Sequence, residues 1–138
     1  MRADFLDAHK RHWDDAERLM QAGRLANADH LYGMAAECGL KQLMLAFGMA
    51  LDPRTGKPTD RNDWVHANNI WPRYESYRSG RIAGADYALP SQNPFNQWDV
   101  SDRYANQAGF QQHRVHRHQA GAQAVRNLIG KAQREGML

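Results

Sequence analysis

The sequence holds a single cysteine, Cys38, so no disulfide can form within the chain and no four-cysteine zinc site is possible. The apolar neighbours of Cys38 predict a buried thiol that packs as a small hydrophobe. No apolar run approaches the roughly 18 residues that a membrane-spanning helix needs. Asp4 and Asp7 interrupt the opening "MRADFLDAHK" where an export signal would be apolar, so the expected compartment is the cytoplasm. Also missing are a glycine-rich phosphate loop, a nucleophile elbow, a paired zinc motif and a seryl triad, which sets those enzyme classes aside.

The chain has 138 residues, of which 42% are hydrophobic, with a mean hydropathy of -0.80. These values suit one water-soluble domain spanning residues 1–138 with a core of its own. The net charge of +3 permits contact with polyanions without requiring it. Lysines number four (Lys10, Lys41, Lys57 and Lys131) against 14 arginines. That bias suits bidentate contacts with phosphate or carboxylate, and equally suits surface ion pairs.

Apolar spacing predicts a first helix from Ala3 to Gln21, ending near Gly23. The stretch that follows carries Ala28, Leu31, Tyr32, Ala35, Cys38, Leu43 and Phe47 on more than one face, which predicts a helix at the centre of the fold. On it Glu37 and Lys41 are four apart in the order that favours an ion pair. "DPRTGKPTD" then breaks the helix with Pro53, Gly56 and Pro58. Thr59 or Asp60 is the expected cap of a third helix that begins near Arg61 and runs to Ser79, with a kink or break at Pro72.

Residues 80–100 contain Gly84, Pro90 and Pro94 among Tyr87, Phe95 and Trp98, and this aromatic content predicts a loop folded back against the body. A last helix, capped by Asp99 or Ser101, is expected from Asp102 to about Arg134. The predicted fold is therefore all-α, an up-and-down bundle of four to five helices with an irregular aromatic loop before the last long helix.

"GRLANADHLYGMAAECGLKQLM", with its centre at "AAECGLK", and the later "DVSDRYANQ" resemble the HEPN superfamily of small helical proteins from prokaryotic conflict and stress systems. One branch of that superfamily implies a ribonuclease, with an arginine, a polar follower and then a histidine after four to six intervening residues. Arg61, Asn62 and His66 satisfy that pattern. The arginines of the pairs Arg2 with His9 and Arg24 with His30 satisfy the spacing but lack the polar follower.

The chemistry the resemblance implies needs no metal and no cofactor. His66 would move a proton at the ribose 2′-hydroxyl or the leaving oxygen, Arg61 would stabilise the charged phosphorane, and Asn62 would orient the phosphate. On one continuous helix Arg61 and His66 would lie about 140° apart, and the resemblance implies a homodimer that would complete the site. A second branch carries a histidine opening its third helix and an arginine–tyrosine pair opening its last, matched by His66 and Arg103–Tyr104. Members of that branch bind nucleotides or partner nucleotidyltransferases. A third expectation is an antitoxin or immunity-type protein that occupies the surface of a partner encoded nearby.

Two further clusters bear on binding. Trp64, Trp71, Tyr74 and Tyr77 lie beside Arg73, Arg78 and Arg81, a mixture that suits stacking on single-stranded bases, although the periodicity assigns Trp64 and Trp71 to the core. In "HRVHRH", His113 and His116 share a helical face, with no local cysteine or carboxylate to complete a metal site. Candidate contacts to RNA or a nucleotide are Arg73, Arg78, Arg103, Tyr104, Arg114 and Arg117.

Overall fold

The computed structural model describes residues 1–138 and is all-helical, with four α-helices, short 3-10 turns and one isolated bridge between Leu51 and Pro58. Helix α1 spans Phe5–Gln21, α2 Leu25–Ala46, α3 Ala67–Arg78 and α4 Gln112–Arg134. No helix is long and apolar enough to cross a membrane.

Asp4 starts α1 by accepting the Asp7 amide at 3.0 Å. Its inward face carries His9, Trp13 and Ala16 at helical spacing. Helix α2 is the central element, packed against α1, α3 and α4, and it is buried along most of its length from Ala28 to Met44. Two glycines let neighbours close on it. A Cβ at Gly33 would collide with the Trp98 indole, and one at Gly39 would lie 2.7 Å from His9 Nδ1 and 2.6 Å from Val125 Cγ1.

The burial of α2 extends to Asp29, which is fully excluded from solvent. A lone buried carboxylate would be costly, and α4 supplies its partners. His118 Nδ1 lies 2.6 Å from Asp29 Oδ1, and Arg114 Nε donates to Oδ2 at 3.2 Å. Arg114 also reaches Asp102 at 2.8 Å. The α2–α4 seam is thus tied by charge as well as by Val115, Ala122 and Val125.

The third helix starts later than its sequence suggests. Arg61–Asp63 is a separate 3-10 turn capped by Asp60, and His66 is the residue that precedes α3. The interruption follows from Asp63, which is fully buried and accepts from Arg73 Nε at 2.6 Å and from the Tyr77 hydroxyl at 2.7 Å. Folding the turn back onto α3 satisfies that carboxylate.

Pro72, expected to kink or break the helix, sits inside α3, which continues to Arg78. A proline leaves the carbonyl four residues earlier without its helical donor. Here that carbonyl belongs to Asn68, and the Asn93 side-chain amide donates to it at 3.0 Å and to Ala67 at the same distance.

Asn93 belongs to the aromatic loop, which does fold against the body. Tyr87, Phe95 and Trp98 are buried, and Trp98 Nε1 donates to the Asp29 carbonyl at 3.1 Å. The last helix also starts later than expected. Val100–Tyr104 and Gln107–Gly109 are 3-10 turns, and α4 begins only at Gln112. Asp99 does act as a cap, but of the first of these turns, in a reciprocal pair with Asp102.

Candidate functional site

His66 occupies the N-cap position of α3 in an extended conformation, and its side chain makes no capping bond. The imidazole turns instead toward α2, where Nδ1 lies 3.0 Å from Glu37 Oε2. The other oxygen of Glu37 accepts from Lys41 Nζ at 2.8 Å. Glu37 and Lys41 are buried, whereas the His66 side chain is 50% exposed. The carboxylate engages Nδ1, which directs that nitrogen inward as the N–H donor and leaves Nε2 as the nitrogen available to a ligand.

Around this imidazole lies a depression of about 370 Å³ bordered by Phe5, Lys41, Lys57, Pro58 and Trp64. Trp64 is 59% exposed, which corrects its assignment to the core; Trp71 is the tryptophan that packs inside. The Trp64 indole N–H donates to the Pro58 carbonyl at 2.8 Å, so the ring is anchored at its edge. Lys57 is exposed and has no carboxylate partner, and Lys41 Nζ lies 5.9 Å from the Phe5 ring centroid. The arrangement offers a fixed aromatic surface, a free ammonium group and an oriented imidazole within one depression.

Asp99 belongs to the electrostatic surroundings of His66. Hydrogen bonds from the Ser101 hydroxyl and amide hold its carboxyl below the usual range, with a smaller contribution from the His66 charge.

Arg61 and Asn62 are exposed on the 3-10 turn and do not border the depression. The Asn62 backbone amide donates to Asp60 at 2.8 Å, and neither side chain has a partner within the chain. Within one molecule no hydrogen bond joins Arg61 to the His66 imidazole, whose partner is Glu37.

The other candidates separate by what they touch. Arg73 is bound to Asp63 and Asp60, Arg78 to Glu75 and the Gly84 carbonyl, and Arg114 to Asp29 and Asp102. These three brace the fold. Arg103 and Tyr104 are exposed, the guanidinium 4.9 Å from the ring centroid, and Arg117 is exposed without an acidic partner. His113 and His116 share that outer face of α4 with Arg117, while His118 is buried against Phe95 and Asp29.

Cys38 is buried, and burial followed by the nearby Glu37 charge pushes its thiol up to about 12. It is a packing residue.

Sequence reasoning paired Glu37 with Lys41 but missed their link to His66, and it missed Lys57 and Phe5. One signal was legible: a charged pair on a helix that is apolar nearly all round has to be buried, and a buried carboxylate tends to recruit a further partner. No family model matches the chain, and neither a curated protein nor a solved structure matches it.

Proposed function

We propose that this chain is a HEPN-like helical protein of a prokaryotic defence, toxin–antitoxin or stress system, and that the depression between Trp64 and His66 binds a nucleotide or single-stranded RNA. The observation that carries this reading is the exposed Trp64 ring, anchored by its N–H to Pro58 and placed with Lys57 and His66 in one depression. A base stacked on a fixed aromatic ring gains about 1–3 kcal/mol, and an adjacent ammonium or imidazolium group suits its phosphate. Since Glu37 already neutralises Lys41, Lys57 is the free cation of the site.

The test is a titration of a fluorescently labelled single-stranded RNA, read by anisotropy at several salt concentrations. The reading expects saturable binding that weakens as salt rises. A flat titration at low salt would remove it.

A second reading, metal-independent RNA cleavage, is favoured by the contact between Glu37 and His66. With Nδ1 committed to Glu37, Nε2 would take the proton of a ribose 2′-hydroxyl as that oxygen bonds to phosphorus. The bond to the 5′-oxygen then breaks, and the leaving oxygen takes a proton, which yields a 2′,3′-cyclic phosphate. Arg61 and Asn62 would have to reach this centre from a second copy of the chain, as the HEPN resemblance implies. Labelled RNA incubated in chelator should be cut by the wild type and spared by His66→Ala. A monomeric mass in light scattering at high protein concentration would remove the shared site.

A further inference from the structure

A second polar depression, of about 240 Å³, lies between α1 and α4 and shares no bordering residue with the Trp64–His66 site. His9 forms part of its wall. This histidine is only 1% exposed, and its Nδ1 lies 2.8 Å from the Ala35 carbonyl, which only an N–H can satisfy. Its Nε2 is then a lone-pair acceptor, and that atom is buried with no partner in the chain. Buried polar atoms without partners are uncommon in folded proteins, and this one belongs to a residue bordering a cavity. Burial also lowers the imidazole's tendency to take up a proton, which keeps Nε2 an acceptor.

The remaining wall supplies mostly donors. Arg126 lies with its guanidinium 5.2 Å from the Trp13 ring centroid and has no carboxylate partner. Lys10 is exposed and also unpaired, and Gln133 adds a side-chain amide. Asp14 is a second acceptor, unpaired and exposed. Gly130 has no side chain to fill the space.

We infer that this depression is a binding site for an oxyanion that still carries a proton, with hydrogen phosphate as the simplest case. The P–O–H group would donate to His9 Nε2, and the unprotonated oxygens would accept from Arg126 and Lys10. Sulfate has the same shape and carries no proton near neutral pH, so its oxygen would face the His9 lone pair unfavourably. A site built to accept a hydrogen bond discriminates against an analogue that lacks the donor.

The test is an NMR titration of the full chain, isotopically labelled at histidine, with inorganic phosphate at pH 7 and constant ionic strength, and with sulfate as the matched control. The expected result is a saturable shift of the His9 Nε2 signal with phosphate, and at least about tenfold weaker binding of sulfate. Arg126→Gln should weaken phosphate by about tenfold through loss of a charge-assisted bond. Gly130→Leu should block it, and a Cβ there meets only the flexible end of Arg134, at 3.3 Å, so the fold should hold. The His66 signal reports separately on any phosphate taken up at the other site. A parallel titration with methyl phosphate tests the proton itself, since a phosphate monoester is largely dianionic at this pH. It should bind more weakly than inorganic phosphate, and equal binding would overturn the inference. An unmoved His9 signal, or equal response to sulfate and phosphate, would overturn the inference.

Discussion

Glu37 Oε2 lies 3.0 Å from His66 Nδ1, joining the middle of α2 to the residue that opens α3. The carboxylate is buried and its other oxygen already holds Lys41, so Glu37 cannot swing away without leaving an ammonium group unpaired. His66 therefore rests on a rigid support although its own ring is half exposed. The same carboxylate serves the stability of the core and the orientation of the site.

Removing the carboxylate should expose that double duty. Glu37→Gln leaves Lys41 buried without a counter-charge and should cost about 3–5 kcal/mol in urea unfolding. The double replacement Glu37→Leu with Lys41→Met should recover most of the loss, because an apolar pair of similar volume avoids the desolvation cost. His66→Ala leaves the pair intact and should change stability by no more than about 1 kcal/mol.

Trp64 separates binding from folding. Trp64→Ala should weaken single-stranded RNA binding by roughly fivefold to a hundredfold, the equivalent of one lost stacking contact. Thermal unfolding should move little, since the ring is mostly exposed. Parallel anisotropy and melting curves check both parts.

Arg73 gives the opposite pattern. Its guanidinium holds the fully buried Asp63, so Arg73→Ala should destabilise the protein by about 3–5 kcal/mol by leaving that charge underpaired. The salt dependence of RNA binding, measured where the variant remains folded, should keep the wild-type slope, because this arginine is committed to carboxylates. A reduced slope would instead make Arg73 a phosphate contact.

Acid should loosen the fold through one buried and two half-buried imidazoles. His9, His12 and His30 are all held below the ordinary value of 6.5, in each case chiefly by burial. The unfolded chain then binds protons that the folded chain resists, so their contribution to stability is full above about pH 6.5 and declines as pH falls below it. Melting temperatures between pH 8 and 5 should show the decline, and His9→Gln should flatten it. Unchanged melting across that range would contradict the shielding of these rings from solvent.

The elements legible in the sequence were those written in apolar spacing. Trp13 and Ala16 on α1 and the many-sided α2 announced a bundle with α2 at its centre, and the aromatics of residues 80–100 announced a loop that packs. The starts of α3 and α4 were not legible, because both are decided by contacts distant in the chain. Asp63 pulls its turn toward Arg73 and Tyr77, and Asp102 is bound by Arg114 of the next helix. Pro72 misled for a related reason, since its cost is offset by Asn93, 21 residues later. At the site, His66 stood out as a residue type in a spacing pattern. Its partner Glu37 lies 29 residues earlier, where no local pattern links the two.

The most direct test of nucleotide or RNA binding at this depression is to titrate the isotopically labelled protein with a short single-stranded RNA at low salt and follow the Trp64 indole and His66 imidazole signals. Saturable shifts at both, with the buried Trp71 and Trp98 indoles unmoved and the response weakened by added salt, are the expected result. Unmoved Trp64 and His66 signals at saturating RNA, or shifts confined to the outer face of α4 at His113, His116 and Arg117, would contradict it.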